Sequence, residues 1–246
     1  MAQDSAANAA AEKSIRPWVS VVLAMSADGK IGDTARSAAR FGSAADQQRL
    51  EAQIARADAT LFGAGTLRAY HTTLAVREAA LLTQRQQRGQ PPQPTQIVCS
   101  ATACFDPTWR FFTQPVPRWL LTSAAGARRW RAQTAFDLVW TAPLRQGAFD
   151  WPAILAQLRQ QGIQRLAVMG GGELVAALLP DDLVDELYLT LCPLLLGGRS
   201  APTLVDGEGR PAAEALSLQL VSAEPVGHEI FVHYRRHRAE KADRFN

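Results

Sequence analysis

The stretch Val168-Met169-Gly170-Gly171-Gly172-Glu173-Leu174 is the strongest indication of the fold in this chain. The residues that lead into it, 165–169, form a short apolar run that is typical of a buried parallel strand. Residues 173–179 then predict a helix that ends before Pro180. Three glycines between strand and helix leave backbone N–H groups uncovered, so a phosphate can approach them closely. The stretch therefore indicates a nucleotide site, and the alternative is a tight turn that binds no ligand.

A second glycine turn follows another predicted strand. Residues 58–62 read as a buried strand, and Gly63-Ala64-Gly65-Thr66 comes directly after it, with the Thr66 hydroxyl placed to cap a short helix. This is neither the six-residue Rossmann glycine pattern nor a P-loop, because no Gly-Lys-Ser/Thr follows. Ligands of open α/β sheets bind at the carboxyl ends of strands, so two such turns strengthen the prediction of a nucleotide site.

The composition excludes several classes of protein. The chain has 246 residues, of which 47% are hydrophobic, enough for one large α/β domain. A net charge of +3, without basic runs interleaved with aromatic residues, does not indicate nucleic-acid binding. No segment approaches the roughly 18 apolar residues of a membrane span. The three cysteines and four histidines have no metal-ligand spacing, and we interpret the cysteines as reduced, buried thiols of a cytoplasmic protein.

The order of elements predicts an α/β domain with a mixed, mostly parallel central sheet and helices on both faces. We expect residues 1–14 to be a disordered leader, 15–238 the folded domain and 239–246 a tail. One helix begins at Ser43, with Asp46 as its capping-box partner. Further helices are predicted near 78–94, 123–132 and 152–161, and strands near 18–24, 59–62, 96–99, 119–121, 138–140, 165–169 and 185–191, with an antiparallel pair at 217–221 and 229–234.

Several motifs, taken in their order and spacing, resemble a known family. They are the strand 23–25 leading into Ser26-Ala27-Asp28-Gly29-Lys30, the turn 63–66, and the segments 170–174, 183–187, 192–198 and 201–209. The family is that of the riboflavin-pathway pyrimidine reductases, which have a dihydrofolate-reductase-like fold. The resemblance covers about residues 16–234 and is to the stand-alone reductases, because the chain has no His-x-Glu followed by a Cys-x-x-Cys, as a deaminase would.

The resemblance implies an NADPH-dependent enzyme. Its substrate would be a diaminopyrimidinone 5′-phosphate whose ribosylamino group is reduced to ribitylamino. The turn 26–30 would lie beside the nicotinamide and the substrate, with Asp28 and Lys30 as catalytic candidates. From the residues alone, Asp28-Gly29 is explained by a turn and Lys30 by solvent exposure. The positions that the resemblance assigns to the cofactor are Ala24, Ser26, Gly63, Gly65, Thr66, Tyr70, Gly170, Gly171, Gly172, Glu173 and Leu174.

The chain departs from the family pattern at positions that serve the substrate or the cofactor ribose. An acidic pair and Pro-Arg-Leu are expected where residues 70–74 read Tyr-His-Thr-Thr-Leu. Met169 replaces a glutamate before the glycines, and Ile54 replaces a helix arginine. Two alternatives therefore stay open: a same-fold reductase with another carbonyl or imine substrate, and a catalytically silent nucleotide-binding protein.

A homodimer is predicted from the alternating strands at 185–191 and 229–234. We expect these strands to lie near a sheet edge, which needs a cover. A two-fold dimer would bury them together with the Leu194–Leu196 run, and related reductases also pair. The alternative is a monomer whose leucines fill its own core.

Overall fold

A computed structural model describes residues 15–238 of the chain. The predicted leader 1–14 and tail 239–246 lie outside the described residues. Eleven strands are formed within 15–238: β1 (Trp18–Ser26), β2 (Ala59–Gly63), β3 (Thr95–Ser100), β4 (Arg118–Thr122), β5 (Leu138–Thr141), β6 (Leu144–Arg145), β7 (Ala148–Phe149), β8 (Arg165–Val168), β9 (Glu186–Cys192), β10 (Leu218–Val226) and β11 (Glu229–Arg236).

Helices connect these strands in the alternating pattern that the sequence predicts. In the described part of the chain they are α1 (Ala44–Arg56), α2 (Ala64–Tyr70), α3 (Ala79–Gln87), α4 (Ala124–Trp130), α5 (Trp151–Gln160) and α6 (Gly172–Leu178), with 3₁₀ turns at Arg110–Thr113 and Ala212–Glu214. The helix predicted over 78–94 ends early, because Gly89 has a φ of 68° and two prolines follow it. None of the six described helices is long and apolar enough to cross a membrane.

The nine strands of the main sheet have the order β10-β11-β9-β1-β8-β2-β3-β4-β5. Strands β1 to β5, β8 and β9 pair in parallel, and β11 joins β9 and β10 antiparallel. The predicted mixed, mostly parallel sheet with antiparallel strands at its C-terminal side is therefore confirmed. Of the two strands expected near an edge, 229–234 is next to it, because β11 pairs with the edge strand β10. The expectation is wrong for 185–191, because β9 lies further in, between β1 and β11.

Helices cover both faces of the sheet. Successive side chains of a strand point to opposite faces, so apolar residues on both sides need a cover. Val19 and Val21 of β1 belong to the apolar core that includes Ile154 and Leu158 of α5 and residues of α6. Val22 instead packs on the opposite face, in the cluster that contains Ala57 and Leu50 beside α1. Helices α5 and α6 thus cover one face of the central strands, and α1 covers the other.

Candidate active site

The two glycine turns meet at the carboxyl ends of neighbouring strands in the middle of the sheet. Strand β8 lies between β1 and β2, so the carboxyl ends of all three strands lie side by side. The amide of Gly63 donates a hydrogen bond of 3.2 Å to the carbonyl of Gly170, which joins the two turns directly. The predicted convergence of the two turns on one site is therefore present in the structure.

A cavity of approximately 450 Å³ opens beside these turns, on the face of the sheet that α1 covers. Its wall combines apolar side chains with threonines, two arginines and one carboxyl group. The lining residues are Val22, Leu23, Ala24, Ile31, Ala39, Arg40, Phe41, Gly42, Asp46, Gln47, Arg49, Leu50, Ile54, Thr60, Phe62, Thr66, Tyr70, Thr72, Thr73, Leu74, Gln96, Met169, Gly170, Gly171, Tyr188 and Thr190.

The three consecutive glycines have different surroundings. Gly170 has a φ of +110° and is joined to Gly171 by a cis peptide bond. A Cβ added at Gly171 would meet only the Thr66 hydroxyl, at 4.0 Å, so the turn is open toward the cavity at this residue. A Cβ at Gly172 would lie 2.3 Å from the carbonyl oxygen of Thr203, so the loop around that residue explains the glycine there. A ligand phosphate can therefore approach the backbone at Gly171.

Five of the predicted cofactor residues line the cavity. They are Ala24, Thr66, Tyr70, Gly170 and Gly171. The expectation that Thr66 caps a helix is wrong, because α2 begins one turn earlier and has Gly63 as its N-cap. Thr66 instead lies in the first turn of α2, where its hydroxyl is the atom nearest to the open side of Gly171.

The other predicted cofactor residues lie outside the cavity lining. Ser26 is fully buried and Leu174 belongs to the core beneath α6. Glu173 is exposed and lies 3.7 Å from Arg36. Gly63, Gly65 and Gly172 shape the two turns by their backbones.

The carboxylate of Asp28 fixes a neighbouring loop. It accepts hydrogen bonds from Ser26 Oγ at 2.6 Å and from the amides of Leu196 and Gly197 at 3.1 and 2.7 Å. The Ser26 bond and these amides lower the pKa of Asp28 to about 2. Asp28 is therefore an ionised loop anchor, and it does not line the cavity.

Lys30 also contacts the chain near that loop. Its backbone forms a bridge with Thr203, and its Nζ lies 3.5 Å from the carbonyl oxygen of Ala201. Lys30 is half-buried, and the next residue, Ile31, lines the cavity. Lys30 is thus close to the rim of the cavity, and its Nζ points to the 201–203 segment.

Sequence reasoning missed the polar residues that α1 brings to the cavity. Ser43 caps α1 through Asp46 N at 3.2 Å, as predicted, but Asp46 is not the capping-box partner. Glu229 of β11 takes that place and accepts from Ser43 N and Ser43 Oγ at 2.7 and 2.5 Å. The Asp46 carboxyl hydrogen-bonds Thr190 instead.

Arg49 attaches α1 to the sheet. Its guanidinium donates to the carbonyls of Leu189 and Val232 at 2.8 and 3.0 Å and lies 4.6 Å from the centroid of the Phe231 ring. The sequence contains one indication that these residues share a surface, which is their spacing. Residues 46, 49, 50 and 53 fall on one face of a helix. That face contains the polar Asp46 and Arg49 beside the apolar Leu50.

The residues that depart from the family pattern lie together on the cavity wall. Met169, Ile54, Tyr70 and Thr73 all line it. The Tyr70 hydroxyl donates to the carbonyl of Ala39 at 2.7 Å. The wall is therefore apolar at two positions where the family pattern has charged side chains.

Side-chain amides hold the 72–73 segment in place. Gln96 Oε1 accepts from Thr60 Oγ1 at 2.7 Å and from Thr73 Oγ1 at 2.5 Å. Gln114 Oε1 accepts from Thr72 Oγ1 at 2.8 Å and from Thr73 N at 2.9 Å. These bonds connect the segment after α2 to β2 and β3, so this side of the cavity is structurally defined.

Comparison with known structures shows that other proteins share this fold. A pyrimidine reductase-like protein from Corynebacterium diphtheriae superposes with a TM-score of 0.76 at 20% identity, over 91% of this chain and 93% of that one. The RibD protein of Acinetobacter baumannii gives 0.75 at 20% identity, over 93% of this chain and 60% of that one. At these identities the comparison shows a shared fold.

Sequence comparison then shows the family. The model of the RibD C-terminal domain matches residues 17–232, and the chain belongs to this family. It is 32% identical over 194 residues to the 2,5-diamino-6-ribosylamino-4(3H)-pyrimidinone 5′-phosphate reductase of Archaeoglobus fulgidus, covering 79% of this chain and 88% of the relative. A protein of the same name from Methanothermobacter thermautotrophicus is 30% identical over 222 residues, covering 89% and 98%.

The different surroundings of Gly171 and Gly172 predict different effects on stability. Gly172→Ala should lower the free energy of unfolding by about 1–3 kcal/mol, because its Cβ would overlap the Thr203 carbonyl and the Asp206 carboxylate. Gly171→Ala should leave it within about 0.5 kcal/mol, as expected away from packed features. Urea unfolding of both variants measures this difference. Equal losses in the two variants would contradict the geometry described.

Proposed function

We propose that this protein is an NADPH-dependent reductase of riboflavin biosynthesis. Its substrate is 2,5-diamino-6-ribosylamino-4(3H)-pyrimidinone 5′-phosphate, and it reduces the ribosylamino group to ribitylamino. The observation that carries the proposal is the open glycine turn at Gly171 beside a cavity of substrate size. Support comes from the two relatives of at least 30% identity that have the name of this reductase.

The chain fits a nicotinamide dinucleotide at the paired glycine turns. The first backbone amides of α2 and α6 have no hydrogen-bond partner within their own helices, as at any helix start. Both helices begin at the carboxyl ends of the adjacent strands β2 and β8. Gly171 and Thr66 would hold the pyrophosphate there, since the first has no side chain and the second supplies a hydroxyl. Ala24, at the end of β1, would lie beside the nicotinamide because its small side chain leaves room in the cavity.

NADPH supplies a hydride when it is bound, so the protein needs no nucleophile of its own. The protein binds the pyrimidine in the cavity, excludes water from the reacting carbon and orients it toward the cofactor. Lys30 remains the candidate for stabilising negative charge on the substrate or contacting its phosphate. Asp28 supports this turn, because its ionised carboxylate holds the amides of Leu196 and Gly197.

A second candidate function is a same-fold reductase that acts on a different carbonyl or imine. The observation in its favour is that Met169, Ile54 and Thr73, which depart from the family pattern, all line the cavity. A substrate panel with NADPH separates the two functions, because only the first requires the ribosylaminopyrimidine phosphate. Binding of NADPH without turnover on any substrate would support a silent nucleotide-binding protein.

Gly171→Val tests the cofactor site. The branched side chain should occupy the space through which a pyrophosphate approaches the backbone, so the affinity for NADPH should fall at least about tenfold. Titration by NADPH fluorescence, with circular dichroism to verify the fold, gives the measurement. Glu51→Gln on α1, outside the cavity, is the control and should bind like wild type. Equal affinities for wild type and a folded Gly171→Val would refute the assignment of this turn.

Turnover tests the chemistry. Wild type should oxidise NADPH only when the ribosylaminopyrimidine phosphate is present. The reaction is measured as the loss of absorbance of the reduced cofactor. Lys30→Met, which keeps the apolar stem, should reduce kcat/KM by roughly 10²-fold through loss of one charge-stabilising group. An unchanged kcat/KM would remove Lys30 from the site. No turnover by wild type with fresh substrate and saturating NADPH would favour the second candidate function.

We also propose that two copies of the chain pair through the exposed edge of the sheet. Strand β10 has exposed apolar side chains at Leu218, Leu220 and Val221, and Ile230 on β11 is exposed as well. Such an edge exposes unpaired backbone groups and needs a cover. The paired glycine turns lie after β2 and β8, away from this edge, so pairing would leave the cavity accessible.

Light scattering should therefore give about twice the chain mass of 26.7 kDa. Leu220→Glu should shift the protein toward the monomer, because a charge would be buried in the contact. Gln219→Glu, the neighbouring position on the same strand, is the matched control and should remain dimeric. A wild type that is monomeric at high micromolar concentration would contradict the proposed pairing.

A further inference from the structure

One carboxyl group lies in the wall of the cavity. Asp46 is the sole Asp or Glu among the cavity-lining residues of the described chain, and its relative exposure is 9%. A buried carboxyl group is costly unless it is hydrogen-bonded or protonated. We therefore expect the Asp46 carboxyl group to have a function in this largely apolar cavity.

The surroundings place Asp46 close to the end of β1. Its carboxyl hydrogen-bonds the side chain of Thr190, which is buried on β9. Thr190 is the register partner of Ala24 on the adjacent strand β1, and Cα atoms of paired strands are only about 5 Å apart. Ala24 is the residue that we place beside the nicotinamide, so Asp46 lies near the same point in the cavity.

The segment before α1 covers the other side of the carboxyl group. A Cβ added at Gly42 would lie 2.0 Å from Asp46 Oδ2, so a side chain at position 42 would displace the carboxyl group. Phe41 and Gly42 line the cavity together with Asp46. The carboxyl is thus held between this segment and Thr190.

The charged and titratable groups around Asp46 come from four elements. Arg49 lies on the same helix, Glu229 on β11, Cys192 on β9 and Tyr70 on α2. Burial is the largest influence and raises the pKa of Asp46, and Glu229 raises it further, while the Thr190 bond and Arg49 lower it. The balance favours the neutral acid more than in water, and a neutral acid can donate a proton.

The other polar groups of the cavity are poorly suited to proton donation. The Tyr70 hydroxyl already donates to the Ala39 carbonyl and the Tyr188 hydroxyl to the Glu186 carboxylate. Burial raises the pKa of both phenols, that of Tyr188 to about 12. Arg49 uses its guanidinium to hold the carbonyls of Leu189 and Val232. Threonine hydroxyls do not release protons near neutral pH.

We propose that Asp46 is the general acid of the reduction. The inference rests on the proposed function. Before hydride transfer the ribose ring opens, the amine N–H proton passes to the ring oxygen, and an imine forms at C1′. Hydride adds to C1′, the C=N π bond breaks, and its electron pair takes the proton of the Asp46 carboxyl to give the secondary amine. Asp46 is left as the carboxylate and regains a proton from solvent, so one hydride and one proton are consumed per turnover.

Asp46→Asn tests the assignment, because it keeps the shape and an acceptor for Thr190 but has no acidic proton. Wild-type kcat should fall as the pH rises through the pKa of Asp46, since the acid must be protonated. In Asp46→Asn, kcat should be at least about 10²-fold lower and should lose that pH dependence, as for loss of a general acid. NADPH affinity, measured by fluorescence, should be unchanged. Glu51→Gln makes the same chemical change on the same helix outside the cavity and should keep wild-type kcat.

A readout without turnover completes the test. The infrared spectrum of wild-type protein minus that of Asp46→Asn, without ligands, should show a protonated carboxyl band that disappears as the pH rises. Absence of that band near the pH of maximal activity, or an Asp46→Asn variant with wild-type kcat and pH profile, would overturn the role of Asp46 alone. A wild type that binds NADPH but does not reduce the pyrimidine phosphate would overturn the proposed function and this step together.

Discussion

The short strand β8 determines the geometry of the whole site. It has only four residues, and Val168 is the register partner of both Val21 on β1 and Leu61 on β2. The neighbouring strands continue past this point, so the chain after β8 must turn within the gap between them. Met169 N donates to the Leu61 carbonyl at 2.8 Å, and Gly63 N then donates to the Gly170 carbonyl. Both glycine turns are fixed by this parallel pairing.

Helix α1 is held over the sheet by polar contacts at its N-terminal half. Glu229 accepts both hydrogen bonds from Ser43, and Arg49 donates to carbonyls on β9 and β11. These bonds reach across to the antiparallel side of the sheet, while Ile54 and Ala55 at the other end of the helix are fully buried. The helix is therefore anchored at both ends, and the cavity lies along it, beside β1 and the glycine turns.

The parts of this fold that follow a local rule could be predicted from the sequence. The order of strands and helices follows from apolar runs and turn residues, and the glycine turns follow from their position after buried strands. The edge strand was not predictable in the same way, because 185–191 alternates like an edge strand although β9 pairs on both sides. Alternation reports which side chains face the core, and it does not report whether the backbone has one neighbour or two.

Predicting individual site residues was harder, because one residue can satisfy two rules. Asp46 fits a capping box by spacing, yet Glu229, distant in sequence, supplies the acceptor for Ser43 and leaves Asp46 free to face the cavity. Asp28 fits a catalytic role by resemblance, yet its carboxylate is occupied by Ser26 and two loop amides. Long-range hydrogen bonds, from Ser43 to Glu229 and from the Leu196 and Gly197 amides to Asp28, determine these arrangements, and no local pattern contains them.

The site contains two kinds of position: turns that are shaped by backbone hydrogen bonds, and side chains that form the wall of the cavity. The glycine turns and the Asp28 turn are shaped by backbone hydrogen bonds, so they depend little on which substrate enters. Met169, Ile54 and Thr73 instead form the wall that a substrate must contact. A wall that is apolar at Met169 and Ile54 gives little binding energy to charged groups. The phosphate of a substrate should therefore lie toward the rim of the cavity, where Arg40 is exposed, while the pyrimidine ring packs against the apolar wall beside Asp46.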